Sequence, residues 1–424
     1  MYYTLKFLFG NIKTSDVLYF TVYRTPIVKL ASYAVAKVNV SSKDGRKILE
    51  QISNHQDLVG DVEIWFAKND SDPVSKQQLI TRKKYAIVYA SPVTQIGNTI
   101  VEHKYHLTTT LYLILVNPIL MQMQRNILIN KIYENKTCKQ ILEEVENEFK
   151  QAYGDIFKFE KQIQGFNPYV YEQVLINSLH DIEIPTWLIN TYKLSDGYPV
   201  YFFDDFDLHN VDKPIRAIAF DPTNFGNFKC CDTSSLIENW GATPIRKYPI
   251  KDLFENAVKS QDRQILLNSE FKQCVNCVPT SLVESGVRGA TNYTQDPNSM
   301  PRFPGNKPLC NSSVGQIFTK STPGAKQRST GWIPDHIEHY KKRKKAIEEA
   351  FKKKYREVLL VKYTGAPIDI FKIASRYPIV DSKGKMVNTN TGLIGSVISF
   401  KRITLRESKM QAVATCQYLI FSQG

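Results

Sequence analysis

Catalytic signatures are what this chain most clearly lacks. It has no GxSxG elbow, no Walker loop and no GxGxxG; Gly324-Ala325-Lys326 lacks the Gly-x4-Gly-Lys frame whose amides cradle phosphates. Histidine is scarce, seven in 424 residues. His336 and His339 stand at i and i+3 with Glu338 between them, which is not the HExxH spacing that sets two ligands and a base on zinc. Cysteine is equally scarce: Cys138, Cys230, Cys231, Cys274, Cys277, Cys310 and Cys416 are an odd, scattered set of seven, which does not fit a disulfide framework. No apolar run approaches the roughly 18–20 residues a membrane helix needs. The opening MYYTLKFLFG has no basic n-region and alternates Tyr3, Leu5, Phe7 and Phe9 against Thr4 and Lys6, so it reads as a strand rather than a signal peptide. These absences lead to an expectation of a reducing cytosol, or a particle assembled there, with no membrane insertion.

What is present is a large, aromatic, moderately basic chain. Its length suggests about two to four domains. Apolar residues make up 42%, with 23 Tyr and 22 Phe, enough to build cores and enough strand formers to lean the composition towards β. A net charge of +14 permits contact with nucleic acid or anionic surfaces without requiring it.

Residues 1–118 read as mainly β. Strand candidates are Val17–Tyr23, the alternation Val62, Ile64, Phe66, then Tyr85–Tyr89 and Leu107–Val116, with a helix at Asp44–Ile52. Several short strands with polar turns suggest a small barrel or sandwich. Asn117-Pro118 ends the last strand, because proline cannot donate to a ladder. Residues 119–197 read as a helical insertion. Thr137 and Gln140 have capping-box spacing before Ile141, Val145 and Phe149, and Gly154 stops that helix. A second helix is expected near Pro168, carrying Val170, Val174, Leu175 and Leu179, and a third starts at Pro185. Residues 198–277 return to mixed short strands. Residues 278–334 are rich in Pro, Gly, Ser and Asn and read as an extended arm or loop. Residues 335–357 read as an amphipathic helix capped by Asp335. Its basic face holds Lys341, Lys342, Arg343, Lys344, Lys345, Lys352, Lys353, Lys354 and Arg356. Residues 358–424 are β again.

Three groups carry candidate chemistry. Asp204, Asp205 and Asp207 beside His209 offer the carboxylates a divalent cation wants, but alternation splits them between strand faces, and a strand end turning into solvent explains them. Cys274-x-x-Cys277 has zinc-knuckle spacing, with Cys230 and Cys231 as further thiolates, yet adjacent cysteines make poor joint ligands and no nearby His completes a tetrad. The basic helix face can contact phosphates or simply be solvated, with Glu348 and Glu349 supporting Lys352 and Lys353 at i+4. No residue is assigned a catalytic, metal or cofactor role, and no cofactor is expected.

One ordered series of features remains: LTTTLYLILVNP at Leu107–Pro118, KTCKQILEEV at Lys136–Val145, YEQVL at Tyr171–Leu175, and IPTWLINTYKLSDGYPVYFFDDFDL at Ile184–Leu208. It resembles the baseplate (tail) hub proteins of tailed bacteriophages. LIGSVISFKRITL at Leu393–Leu405, with a final long strand, looks like that family's closing β region. The resemblance implies an α+β, mainly β fold: two tail-tube-like β-barrels, one from residues 1–118 and one from 198–277 with 358–424. It implies a non-enzymatic, homotrimeric virion component joining the six-fold tail tube to the three-fold central spike and to the baseplate wedge proteins. DNA would pass through its lumen without specific binding, the basic helix would face outward, and assembly would occur in the host cytoplasm. The alternatives are a hexameric tube initiator or terminator, and a nucleic-acid-binding protein using helix 335–357.

Overall fold

The computed structural model describes residues 2–249 and 355–421, apart from short internal segments such as 68–76, 207–213 and 231–242. The expected arm at 278–334 and the basic helix up to residue 354 lie outside the described residues; residues 355–357 already belong to a strand.

Alternation builds the first strands. β1 (Tyr2–Phe9) buries Tyr3, Leu5, Phe7 and Phe9 in one core. It folds back into β2 (Ile12–Thr14) through Gly10, whose φ of 58° is in the left-handed region that favours glycine. β3 (Val17–Arg24) follows, then β4 (Tyr33–Ser41), which is apolar on both faces: Ala34, Ala36, Val38 and Val40 enter the first core, Tyr33 and Val35 a second. α1 (Ser42–Ser53) starts where the Ser41 hydroxyl accepts from the Asp44 amide at 3.1 Å. β5 (Leu58–Ala67), β6 (Gln78–Val101) and β7 (Lys104–Val116) complete this part. Beyond Ile87 the outer edge of β6 has no partner strand among the described residues, and residues 98–101 with 104–107 continue as a two-stranded ribbon.

Residues 117–220 form a covering module. Asn117 caps α2 (Pro118–Arg125), its side chain accepting from the Ile119 amide at 2.9 Å. β8 (Ile127–Leu128) and β9 (Lys131–Thr137) follow. α3 (Cys138–Tyr153) has the full Thr137/Gln140 capping box and stops at Gly154, as its residues suggest. After β10 (Phe157–Gln162) comes a correction. Tyr171–Leu175, expected on a helix, lies in strand β11 (Val170–Ile176), which runs antiparallel to β9 from Val170↔Thr137 to Ile176↔Lys131. Its β-branched and aromatic residues fit a pleated surface better than a helix turn. The insertion is therefore mixed α/β, with β12 (Leu179–His180), α4 (Ile184–Thr191), β13 (Val200–Asp204) and β14 (Ile215–Phe220) following.

The remaining strands are β15 (Lys229–Cys230), β16 (Thr243–Pro249), β17 (Tyr355–Thr364), β18 (Ser375–Arg376), β19 (Ile379–Val380), β20 (Met386–Asn388), β21 (Thr391–Arg402) and β22 (Lys409–Phe421). Hydrogen bonding runs β1-β5-β6-β7-β4-β3-β21-β22, and β22 returns to β1 through Tyr3↔Met410 and Thr4↔Lys409. Eight antiparallel strands thus close into a ring. β21 and β22 also carry a wing: β17 pairs with β22 and β16 with β17, while β18 pairs with β21 and β15 with β18. The two ends of the chain share strands where the expectation drew a boundary between 1–118 and 358–424. The fold is mainly β, with four helices among the described residues.

Two cores follow from this arrangement. The first fills the ring, where Phe20, Leu111, Ile398, Phe400 and Met410 are fully buried. The second lies between the outer face of β4, β6 and β7 and the module, with Ile114, Val116, Leu120, Ile141, Leu142 and Leu188 fully buried. β13 and β14 join them. Phe202, Ile218 and Phe220 point into the first core; Tyr201, Phe203, Ala217 and Ala219 point into the second.

Candidate functional site

Asp204 and Asp205, expected at a solvated strand end, are instead among the most buried charges of the described residues. Asp204 and Asp205 are 0% and 1% exposed. Arg24 follows Phe20 and Val22 in the inward register of β3, and its guanidinium meets the Asp204 carboxylate at 2.5 and 3.0 Å, both groups fully buried. The remaining Arg24 donors reach the Phe371 carbonyl and Ser396. Asp204 also accepts from the Phe206 amide at 3.1 Å. A buried ion pair survives only when its other hydrogen-bonding positions are filled, and here they are.

Asp205 is held differently. The Ser32 hydroxyl donates to it and in turn accepts from the Asp205 amide at 2.8 Å; Ser32 N also donates to the Phe203 carbonyl at 2.9 Å. Its Oδ2 has no hydrogen-bond partner among the described residues. Burial pushes its carboxyl up to about 6, opposed by the Ser32 hydrogen bond and the Lys83 charge. Lys83 and Tyr85 stand opposite Val62 and Gly60 on β5, in the inward register. The Tyr85 hydroxyl is buried with no hydrogen-bond partner among the described residues, and burial beside Asp205 and Asp204 drives its pKa up.

A second ionic joint fixes the module. Arg216, fully buried on β14, donates to Glu160 on β10 at 2.8 and 3.1 Å and to the Ile373 carbonyl at 2.8 Å. Burial works against the Glu160 charge, but the Arg216 hydrogen bonds and charge outweigh it and bring its carboxyl to about 2. Both arginines thus reach from strand side chains to carbonyls of the 371–373 segment. They tie the ring, the module and the C-terminal part together.

This arrangement can hold a fold together, with Arg24, Asp204 and Arg216 all buried. The described residues contain no group of three or more metal-ligating side chains. Asp207 and His209 lie outside the described residues, as do Cys231, Cys274, Cys277, Cys310 and the side chain of Cys230. Cys138 and Cys416 are buried; the Cys138 thiol meets the Leu188 carbonyl at 3.7 Å, and burial pushes the Cys416 thiol up. Sequence reasoning missed Arg24, Ser32, Lys83, Glu160 and Arg216. The legible signal was a charge in an inward register, as in IRAIAF, where Arg216 interrupts an apolar strand.

The described part thus defines a class: an antiparallel β ring with a covering α/β module and buried ionic joints, built for rigidity. No family model matches the sequence, and no curated protein matches it either. Solved structures similar in outline include a component of the type VI secretion system of E. coli, described as structurally similar to T4 bacteriophage tail proteins (TM-score 0.44, 12% identity, 99% of this chain and 77% of that one). Another is the 43 kDa tail protein of prophage MuSo2 from Shewanella oneidensis (0.44, 9%, 98% and 97%). A third is a tail protein from Neisseria meningitidis (0.42, 6%, 98% and 96%). At these scores the likeness is one of outline.

Proposed function

We propose that this chain is a structural component of a phage tail, acting as a homotrimeric baseplate hub between tail tube, central spike and wedge proteins. The observation that carries the reading is the eight-stranded antiparallel ring that continues into a second wing of strands on β21 and β22. Two strand systems per subunit are what a trimer needs to present six similar faces to a six-fold tube. The order of motifs from Leu107 to Leu208 supports the same reading. So does the ribbon at the end of β6 and β7, since a lone two-stranded ribbon is marginal in water and gains cover in an assembly. The role is non-enzymatic: the buried carboxylates serve Arg24 and Arg216, and DNA passes through the assembly without sequence readout.

Light scattering on the purified chain tests this. Three copies of a 48.6 kDa chain give about 146 kDa. A particle of about 292 kDa would assign the chain to a six-fold tube initiator or terminator, and a monomer at all concentrations would remove both readings.

A further inference from the structure

The module is clasped to the ring where residues 30–32, which lead into β4, meet the end of β13. Phe203 N donates to the Leu30 carbonyl and Ser32 N to the Phe203 carbonyl, both at 2.9 Å, and Asp205 N donates to the Ser32 hydroxyl at 2.8 Å. The Ser32 hydroxyl in turn donates to Asp205 Oδ1. Asp205 is the charged member of this clasp. Asp204 beside it is paired with Arg24, whereas Asp205 forms no ion pair among the described residues.

Two groups that act on each other here, Asp205 Oδ2 and the Tyr85 hydroxyl, are buried with no hydrogen-bond partner among the described residues. Asp205 is the charge that acts most strongly on the Tyr85 hydroxyl. The other groups facing Asp205 are Ser32, Lys83 on β6, Asp204 on its own segment and Arg24 on β3. Arg24 is committed to Asp204, and the Lys83 charge offsets only part of the effect of burial. A buried carboxylate with an unfilled oxygen favours its neutral form. The neutral acid has what the carboxylate lacks, an O–H donor, and a tyrosine hydroxyl oxygen can accept it.

We infer that Asp205 is a proton-binding site that tightens the clasp between ring and module, its protonated Oδ2 donating to the Tyr85 hydroxyl while Oδ1 keeps the Ser32 hydrogen bond. One proton passes from solvent to Oδ2, and a buried charge is exchanged for a hydrogen bond. The carboxyl stands at about 6 in the closed clasp and at 3.8 once exposed to water. The closed form therefore binds more protons between those values, and closing gains strength as pH falls from 6 to 4. A difference of about two units changes the ratio of open to closed clasp about 100-fold. The inference goes beyond the hub reading and does not depend on oligomeric state.

Hydrogen exchange read by mass spectrometry tests it on the full-length chain from pH 4 to 7.5, with rates corrected against the unfolded chain. Peptides holding Ser32, Phe203 and Asp205 gain about 100-fold in protection as pH falls. Asp205→Asn, whose amide is a neutral donor at every pH, stays protected throughout and loses the pH dependence. Tyr85→Phe removes the acceptor and moves the midpoint of the protection curve down by about one pH unit. Above pH 7, where Asp205 is ionised, the same change leaves the clasp as it is. Protection independent of pH in the unaltered chain would overturn the inference, and that curve needs no variant to fold. Equal pH dependence in Asp205→Asn would overturn it too, and a midpoint unchanged or raised in Tyr85→Phe would overturn the contact with Tyr85.

Discussion

At the scale of single residues, the sharpest consequences come from the buried polar groups. Asp204→Asn leaves the Arg24 cation buried beside a neutral amide, and an unpaired buried charge costs about 3–5 kcal/mol; chemical denaturation should show a loss of that order. Tyr85→Phe should go the other way. It removes a buried hydroxyl with no hydrogen-bond partner among the described residues, so stability should hold or rise, by up to about 1–3 kcal/mol. The carboxyl of Asp205 moves from 3.8 in the unfolded chain to about 6 in the native protein. Between those values the native state binds more protons, so this group favours folding increasingly as pH falls from 6 to 4 and adds nothing further below. Asp205→Asn should remove that slope from a stability–pH profile. Glu160 has the opposite sign: its contribution is intact above its unfolded value of 4.5 and disappears as pH falls through about 2.

At the scale of elements, local chemistry was legible where it is local. Asn117-Pro118, the Thr137/Gln140 box, Gly154 and the Pro185 helix all carry their partners within a few residues, and each does what its residues suggest. Tyr171–Leu175 reads as helix because so short an apolar run shows helical and strand spacing at once, and pairing with β9, more than thirty residues back, decides between them. The ionic joints were illegible for the same reason, since Arg24 and Asp204 are 180 positions apart. A close approach of strands was equally hidden. A Cβ on Gly60 of β5 would stand 2.4 Å from the Leu8 carbonyl oxygen of β1 and 2.5 Å from the Phe9 ring. Gly60→Ala should therefore force the strands apart and cost about 1–3 kcal/mol or more, measured by thermal unfolding.

At the scale of the whole molecule, the β character of both chain ends was readable from alternation, but their partnership was not. Nothing in LIGSVISFKR tells its neighbours apart; the structure seats it between β3 and β22, with Phe400 against Phe20 and Tyr3 at 6.0 and 5.3 Å. Phe400→Ala should cost about 3–5 kcal/mol, as much as a change at Phe20, because both fill one core. The ring depends on the seam where, among the described residues, β1 meets β22 at two residue pairs, Tyr3↔Met410 and Thr4↔Lys409. Directly opposed strand residues are about 4.5–5.5 Å apart at Cα, within reach of a disulfide. Thr4→Cys combined with Lys409→Cys, mildly oxidised and mapped by mass spectrometry, should give a disulfide linking positions 4 and 409 within one chain. Failure of those positions to join, while the protein remains folded, would contradict the closed ring.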